Sequence, residues 1–158
     1  MYEPEPAAVA TPIGLIVITG DNDRLTSIRF TRAGPARPGE GRAAREAAAQ
    51  VAAWFEGRLT RFDLPLAPAA TPRGQTLRDA IVAIGHGETM SYGALAARIG
   101  SSARAVGQAC ARNPFPLVVP CHRVVQAGGA LGPYSAGDGP ATKAWLLAAE
   151  RRFTGTGS

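Results

Sequence analysis

Four consecutive residues, Pro120-Cys121-His122-Arg123, bring a thiol, an imidazole and a guanidinium together. The chain has two cysteines and two histidines, and this stretch holds one of each. A free thiol titrates near about 8.5, so only a few per cent is thiolate at neutral pH. A neighbouring base, a cation or a positive backbone environment raises that fraction. His122 can supply the base and Arg123 the cation, which points to nucleophilic chemistry at sulfur. Free cysteine is also among the most buried residue types, so a packing role stands beside the catalytic one until the surroundings are read.

The elements around Cys121 fall into two halves. In the first, 11–18 is a β-rich run, Asp21-Asn22-Asp23 is a turn signal, and 25–30 alternates apolar and polar residues, which together read as a hairpin. Residues 31–41 form a Gly/Pro-rich loop, Ala43 to Phe55 a helix ending near Gly57, and Phe62 to Leu66 a short edge strand. The Pro-rich stretch 67–72 marks the domain boundary, with 1–68 as an α/β unit and 69–158 as a second domain.

In the second half, Leu77, Ala80, Ile81 and Ile84 recur at helical spacing. Ser91 caps a helix that ends at Gly100, and a short turn leads to another, Ala103 to Arg112, closed by Asn113-Pro114. Two short helices across a tight turn make a helix-turn-helix outline. Arg104, Gln108 and Arg112 share one face of the second helix, while Ala103, Val106 and Cys110 suit packing. Ala105, Gly107, Ala109 and Ala111 keep that helix thin enough to lie close to a nucleic-acid backbone. An apolar run, Leu117 to Val119, leads into Pro120-Cys121. A Gly-rich loop, 128–137, and a last helix, Ala141 to Arg151, follow.

Composition narrows the function classes. Residues 1–68 are charge-neutral, with 8 Arg and 8 Asp/Glu. Residues 69–158 carry 8 Arg, 1 Lys and 4 Asp/Glu, and hold the whole net charge of +5. The half that contains Cys121 is therefore suited to a polyanionic partner. Two cysteines in no paired spacing argue against a disulfide framework or a zinc cluster and for a reducing compartment, here the cytoplasm. No run approaches the roughly 18 apolar residues of a membrane span, and no signal peptide is evident.

Ser91-Tyr92-Gly93-Ala94-Leu95-Ala96, Arg104-Ala105-Val106-Gly107, Asn113-Pro114, Pro120-Cys121-His122-Arg123-Val124-Val125, Tyr134-Ser135 and Lys143-Ala144-Trp145-Leu146-Leu147 with Glu150 occur in that order. The set resembles the O6-alkylguanine-DNA alkyltransferase family, strongly over roughly 85–150 and more loosely in the first half. The resemblance implies a ribonuclease H-like α/β domain followed by a mostly α, winged-helix-like domain with a helix-turn-helix. It implies direct, single-use transfer of an alkyl group from the O6 of guanine, and less efficiently the O4 of thymine, to a cysteine, with no metal or organic cofactor. The partner is double-stranded DNA, the target base leaves the stack, and the protein acts as a monomer.

By the same resemblance Cys121 is the acceptor, His122 its base through a bound water, and Glu150 the partner that orients the imidazole. Asn113 shapes the turn that holds the cysteine. Tyr92 crowds a phosphate and donates to the guanine. Arg104 enters the stack in place of the flipped base, and Ala105, Gly107, Gln108 and Arg112 belong to the DNA-facing helix. Pro120, Val124, Tyr134 and Ser135 line the alkylguanine pocket. His86 and Cys110 match no catalytic position. His86 is expected in a loop, and Cys110 beside the pocket as a packing residue. Arg123 is open between favouring the thiolate and a structural contact. The chain departs from the family at Arg73, Gly74 and Arg78, where aromatic and glutamine residues are common, and at Ala136, where glycine is usual. The competing readings are a relative that flips alkylated bases without repairing them, a Cys-His-Glu hydrolase, and a helix-turn-helix regulator. The first lacks an acceptor cysteine, the second needs an oxyanion site the sequence does not single out, and the third has no use for Pro120-Cys121-His122.

Overall fold

The computed structural model describes residues 4–154, and the structural statements that follow refer to these. The chain divides into two compact units, Met1–Ala67 and Pro68–Ser158.

The first unit is a three-stranded antiparallel sheet, β1 (Ala7–Thr11), β2 (Gly14–Gly20) and β3 (Leu25–Thr31), in the order β1-β2-β3. Helix α1 (Arg42–Phe55) packs on β1 and β2. Its buried residues Ala43, Ala44, Ala47, Val51 and Trp54 form one stripe, set against Ile16 and Ile18 of β2 and Ala7 of β1 in the core. Asp21 closes the β2–β3 hairpin by accepting from the N–H groups of Asp23 and Arg24 at 2.8 and 3.0 Å.

Two expectations for this unit are corrected. The run 11–18 is not one strand: Thr11 pairs with Gly14 across a tight turn, and the strand before it, β1, has no counterpart in the sequence reading. Pro12 has no N–H for a ladder, and Gly14 takes φ 113° with the Thr31 carbonyl where a side chain would stand. Phe62 to Leu66 forms no strand beyond an isolated bridge of Leu66 to Leu25. The Gln50 amide occupies the backbone N–H and C=O of Asp63, both at 3.0 Å, and Pro65 cannot donate.

The second unit is mainly helical. Thr71 caps α2 (Pro72–Val82), with Pro72 at its first position. Ser91 caps α3 (Tyr92–Ile99), accepting from Ala94 N at 3.0 Å, and Gly100 ends it at φ 67°. Ser102 caps α4 (Ala103–Ala111), accepting from Ala105 N at 3.1 Å. Leu77 and Ile81 of α2, Leu95 and Ala96 of α3, and Val106 of α4 are buried where these helices pack on one another. Ala103 is exposed, so packing on α4 falls chiefly to Val106. Two short strands, β4 (Met90–Ser91) and β5 (Val124–Val125), pair in parallel. They tie the start of α3 to the segment just after Cys121. Helix α5 (Pro140–Thr154) closes the unit. No helix is long and apolar enough to cross a membrane.

Candidate active site

Cys121 opens a single 3₁₀ turn, Cys121–Arg123, between the α4 exit and β5. Asn113 shapes the approach. Its Oδ1 accepts from Phe115 N at 2.9 Å, and its Nδ2 donates to Val119 O at 3.0 Å and to Cys121 Sγ at 3.3 Å. Leu117, buried at the apex of this segment, is the one non-glycine residue with positive φ, 78°, among those described. A leucine held there stores about 1–3 kcal/mol of strain, sustained only because its surroundings are pinned.

His122 and Glu150 have no exposed surface and meet at 2.8 Å, Nε2 to Oε2. A carboxylate only accepts, so Nε2 carries the hydrogen and the lone pair lies on Nδ1. Nδ1 is buried without a hydrogen-bond partner among the described residues. Burial lowers the His122 pKa against the opposing pull of Glu150, which keeps the imidazole a neutral base. Burial pushes the Glu150 carboxyl up, but hydrogen bonds from His122 and Arg123 outweigh it and hold the group at about 2.

Arg123 resolves as a structural contact. Its Nε reaches both Glu150 oxygens at 2.9 and 3.1 Å, its Nη2 donates to Oε2 at 2.7 Å, and its Nη1 donates to Ile84 O at 2.6 Å. The guanidinium is thus committed to the carboxylate. The Cys110 sulfur beside Cys121, together with burial, pushes the Cys121 thiol well above its ordinary range, against Asn113 and Lys143. At neutral pH the group is therefore a thiol. Gly87 N also donates to Glu150 Oε1 at 3.3 Å, and His86 Nδ1 lies 3.8 Å from Oε2. His86, expected as a loop residue without a place in the site, is a neighbour of its carboxylate.

A cavity of about 120 Å³ opens on Cys121, lined by Tyr92, Gly107, Cys110, Ala111, Pro133, Tyr134 and Ser135. Burial, with smaller effects from Cys110 and Cys121, raises Tyr92 to about 12, and burial drives Tyr134 higher still. Both phenols are therefore protonated donors at neutral pH. Tyr134 Oη is buried without a partner among the described residues, a donor left for whatever enters the cavity. Pro120 and Val124, expected in the lining, do not belong to it. Both are buried: Pro120 O accepts from Arg123 N at 2.9 Å and closes the 3₁₀ turn, and Val124 pairs with Met90 in the β4–β5 ladder.

Lys143 is the functional-looking residue that reading the sequence for roles missed. It has no exposed surface, and its Nζ donates to Val124 O at 2.6 Å and Pro133 O at 3.2 Å, tying the Gly-rich loop to β5. The ammonium also lies 5.7 Å from the centre of the Tyr92 ring. The available signal was its spacing: Lys143, Leu146, Leu147 and Glu150 all lie on the buried stripe of α5.

Arg104, Gln108 and Arg112 are exposed, with Arg112 serving as the C-cap of α4. Ala105, Gln108 and Arg112 border a second, open groove of about 570 Å³ against α2, where Arg73, Gly74 and Arg78 also stand. Arg78 lies 5.3 Å over the Phe115 ring. The structure thus collects Cys121, His122, Glu150, Asn113, Tyr92, Gly107, Tyr134 and Ser135 around one centre, and leaves Arg104, Ala105, Gln108 and Arg112 of α4 and its C-cap outside the cavity lining.

A buried thiol, an imidazole of fixed tautomer and a carboxylate that orients it form the layout of a nucleophilic-cysteine protein. Residues 73–152 match the family model described as 6-O-methylguanine DNA methyltransferase, DNA binding domain. The chain is 41% identical over 157 residues to the methylated-DNA–protein-cysteine methyltransferase of Mycolicibacterium paratuberculosis, covering 95% of this chain and 94% of that one. It is 37% identical to the constitutive methylated-DNA–protein-cysteine methyltransferase of Bacillus subtilis, covering 89% and 92%. Among solved structures, Mycobacterium tuberculosis OGT in complex with DNA superposes with a TM-score of 0.80 at 35% identity, covering 94% and 93%. The chain belongs to the methylated-DNA–protein-cysteine methyltransferase family.

Proposed function

We propose that this protein repairs DNA by moving an alkyl group from the O6 of guanine, and more slowly from the O4 of thymine, onto Cys121, once per molecule. The observation that carries the reading is the Cys121–His122–Glu150 arrangement beside a small cavity: Glu150 fixes the hydrogen on Nε2 of His122 and leaves Nδ1 to take the thiol proton. The sulfur attacks the alkyl carbon, the carbon–oxygen bond breaks, and the electron pair goes to guanine O6. The Cys121 proton passes to His122 through a water, and the Tyr92 phenol donates to the leaving guanine. Tyr134 and Ser135 hold the base. The product is a thioether with no route back to the thiol, so the protein is spent. No cofactor enters this scheme.

The target base lies inside the duplex, so it must be flipped out at a cost of a few kcal/mol. In this reading α3 and α4 are a helix-turn-helix in a winged-helix-like domain, supported by the serine caps on both helices and the left-handed Gly100 between them. Helix α4 enters the minor groove with Gly107 and Ala105 on its thin face, Arg104 fills the space left by the base, and Gln108 and Arg112 meet the backbone. The first unit, a three-stranded antiparallel sheet with one packed helix, is read as ribonuclease H-like. A thiol that must stay reduced suits a cytoplasmic, monomeric protein.

The test is a duplex oligonucleotide carrying one O6-methylguanine, incubated with the full chain and followed by peptide mass analysis. The reading requires one methyl group on the Cys121 peptide per lesion lost. A retained lesion with unmodified Cys121 overturns it.

A further inference from the structure

The second cysteine has no part in the scheme above, yet it shares the cavity. Cys110 and Gly107 stand one turn apart on α4, and both face the space in front of Cys121. Nothing lies within 4 Å of the place where a side chain on Gly107 would begin, so the wall beside Cys110 is open. Cys110 and Cys121 line the same cavity, and each thiol shifts the titration of the other, Cys121 upward and Cys110 downward. An alkyl group received by Cys121 therefore comes to rest against a second nucleophile.

We propose that Cys110 closes a two-carbon bridge to Cys121 when the transferred group carries a leaving group on its second carbon, which makes O6-(2-haloethyl)guanine a substrate class with its own end product. The inference rests on the alkyl-transfer reading of Cys121. In the first step Cys121 sulfur bonds to the first carbon, the carbon–oxygen bond to guanine breaks, and the thiol proton goes to His122. The product is a 2-haloethyl thioether. Its sulfur lone pair then displaces the halide and forms a three-membered sulfonium. Cys110 sulfur opens that ring at carbon, its proton leaves to water, and the halide leaves as the anion. No oxidant or reductant is needed. An ethylene unit is short, and both cysteines already line one cavity of about 120 Å³. In the resting protein Cys121, and to a smaller degree the Lys143 ammonium, lower the Cys110 thiol against the opposing effect of burial. A monofunctional methyl group has no second leaving group and stops at the first thioether. The pair thus captures both ends of an electrophile that would otherwise remain free to alkylate the DNA.

Trypsin cleaves after Arg104, Arg112 and Arg123, so Cys110 and Cys121 fall in separate peptides, 105–112 and 113–123. The full chain is reacted with duplex DNA containing one O6-(2-fluoroethyl)guanine or its chloro analogue, and in parallel with O6-methylguanine duplex. The expected product is the two peptides joined by one ethylene unit, with halide and two protons lost. Cys110→Ser is expected to lose the joined pair and to carry a haloethyl or hydroxyethyl group on the Cys121 peptide. Wild-type protein with that unbridged group on Cys121, or a protein–DNA cross-link in place of the bridge, overturns the inference while leaving alkyl transfer intact. Methylation from the control duplex with no reaction at the haloethyl lesion also overturns it. No reaction with either duplex overturns the alkyl-transfer reading itself.

Discussion

Glu150→Gln is the most informative single change, because it removes a charge and preserves shape. Glu150 accepts from His122 and from three Arg123 contacts inside a site with no exposed carboxylate surface. Its carboxyl is held at about 2 against an ordinary 4.5. At roughly 1.4 kcal/mol per unit, that difference corresponds to about 3 kcal/mol of folding stability. The folded value is the lower one, so the contribution is fully present above the unfolded value and fades as pH falls through about 2. Denaturant unfolding of wild type and Glu150→Gln should therefore differ by about 3 kcal/mol at neutral pH, and the gap should close in strong acid as the carboxylate is protonated. Chemistry should suffer separately. A glutamine can present either its oxygen or its amide to Nε2, so the tautomer of His122 is no longer fixed, and loss of a positioned base slows transfer by about 10²–10⁴. The assay is single-turnover methyl transfer from duplex DNA with protein in excess, run where both proteins are folded. Transfer by folded Glu150→Gln within about tenfold of wild type would refute the roles given to Glu150 and His122.

Other variants separate structural from chemical effects. Arg123→Lys keeps the charge but loses the fork, so it should lower stability by about 1–3 kcal/mol while transfer stays within about tenfold, measured by the same two assays. Lys143→Met leaves the Val124 and Pro133 carbonyls without their donor, and thermal or urea unfolding should show a loss of about 2–3 kcal/mol; a change under about 0.5 kcal/mol would mean the tie is idle. Asn113→Ala orphans Phe115 N and loosens Cys121, with an expected loss of about 1–3 kcal/mol and slower transfer even from the free alkylated base. Arg104→Ala should slow transfer from duplex by about 10–100-fold, the worth of one stacking contact, while transfer from the free base is unaffected; equal duplex rates would remove Arg104 from base flipping.

Local signals carried the helical parts of this protein. Ser91, Ser102 and Thr71 cap helices because a hydroxyl can satisfy a free backbone N–H whatever the rest of the chain does. Gly100 ends α3 in the left-handed conformation for an equally local reason. Strands were less legible. The alanine-rich β1 exists through its partner β2, and in the 62–66 segment the Gln50 side chain on α1 takes both backbone groups of Asp63, leaving a single bridge at Leu66. Neither fact is written near the residues concerned.

The candidate site divides along the same line. Residue types singled out Cys121 and His122, while Glu150, Asn113, Tyr92, Tyr134 and Ser135 joined them through the resemblance to the alkyltransferase family. The sequence by itself also placed the excess positive charge in the half that carries Cys121. What each charged group does was decided only by tertiary structure. Arg123 adjoins Cys121 in the chain, yet its guanidinium turns to Glu150, 27 residues away. Lys143 stands on a helix like any solvated lysine, yet it is buried on two carbonyls. Cys110 is 11 residues from Cys121 and on another element, yet both sulfurs face one cavity. Helix caps and turns are settled within a few residues. The partner of a buried charge or thiol is settled by whichever element packs beside it, and that depends on contacts spanning the whole unit.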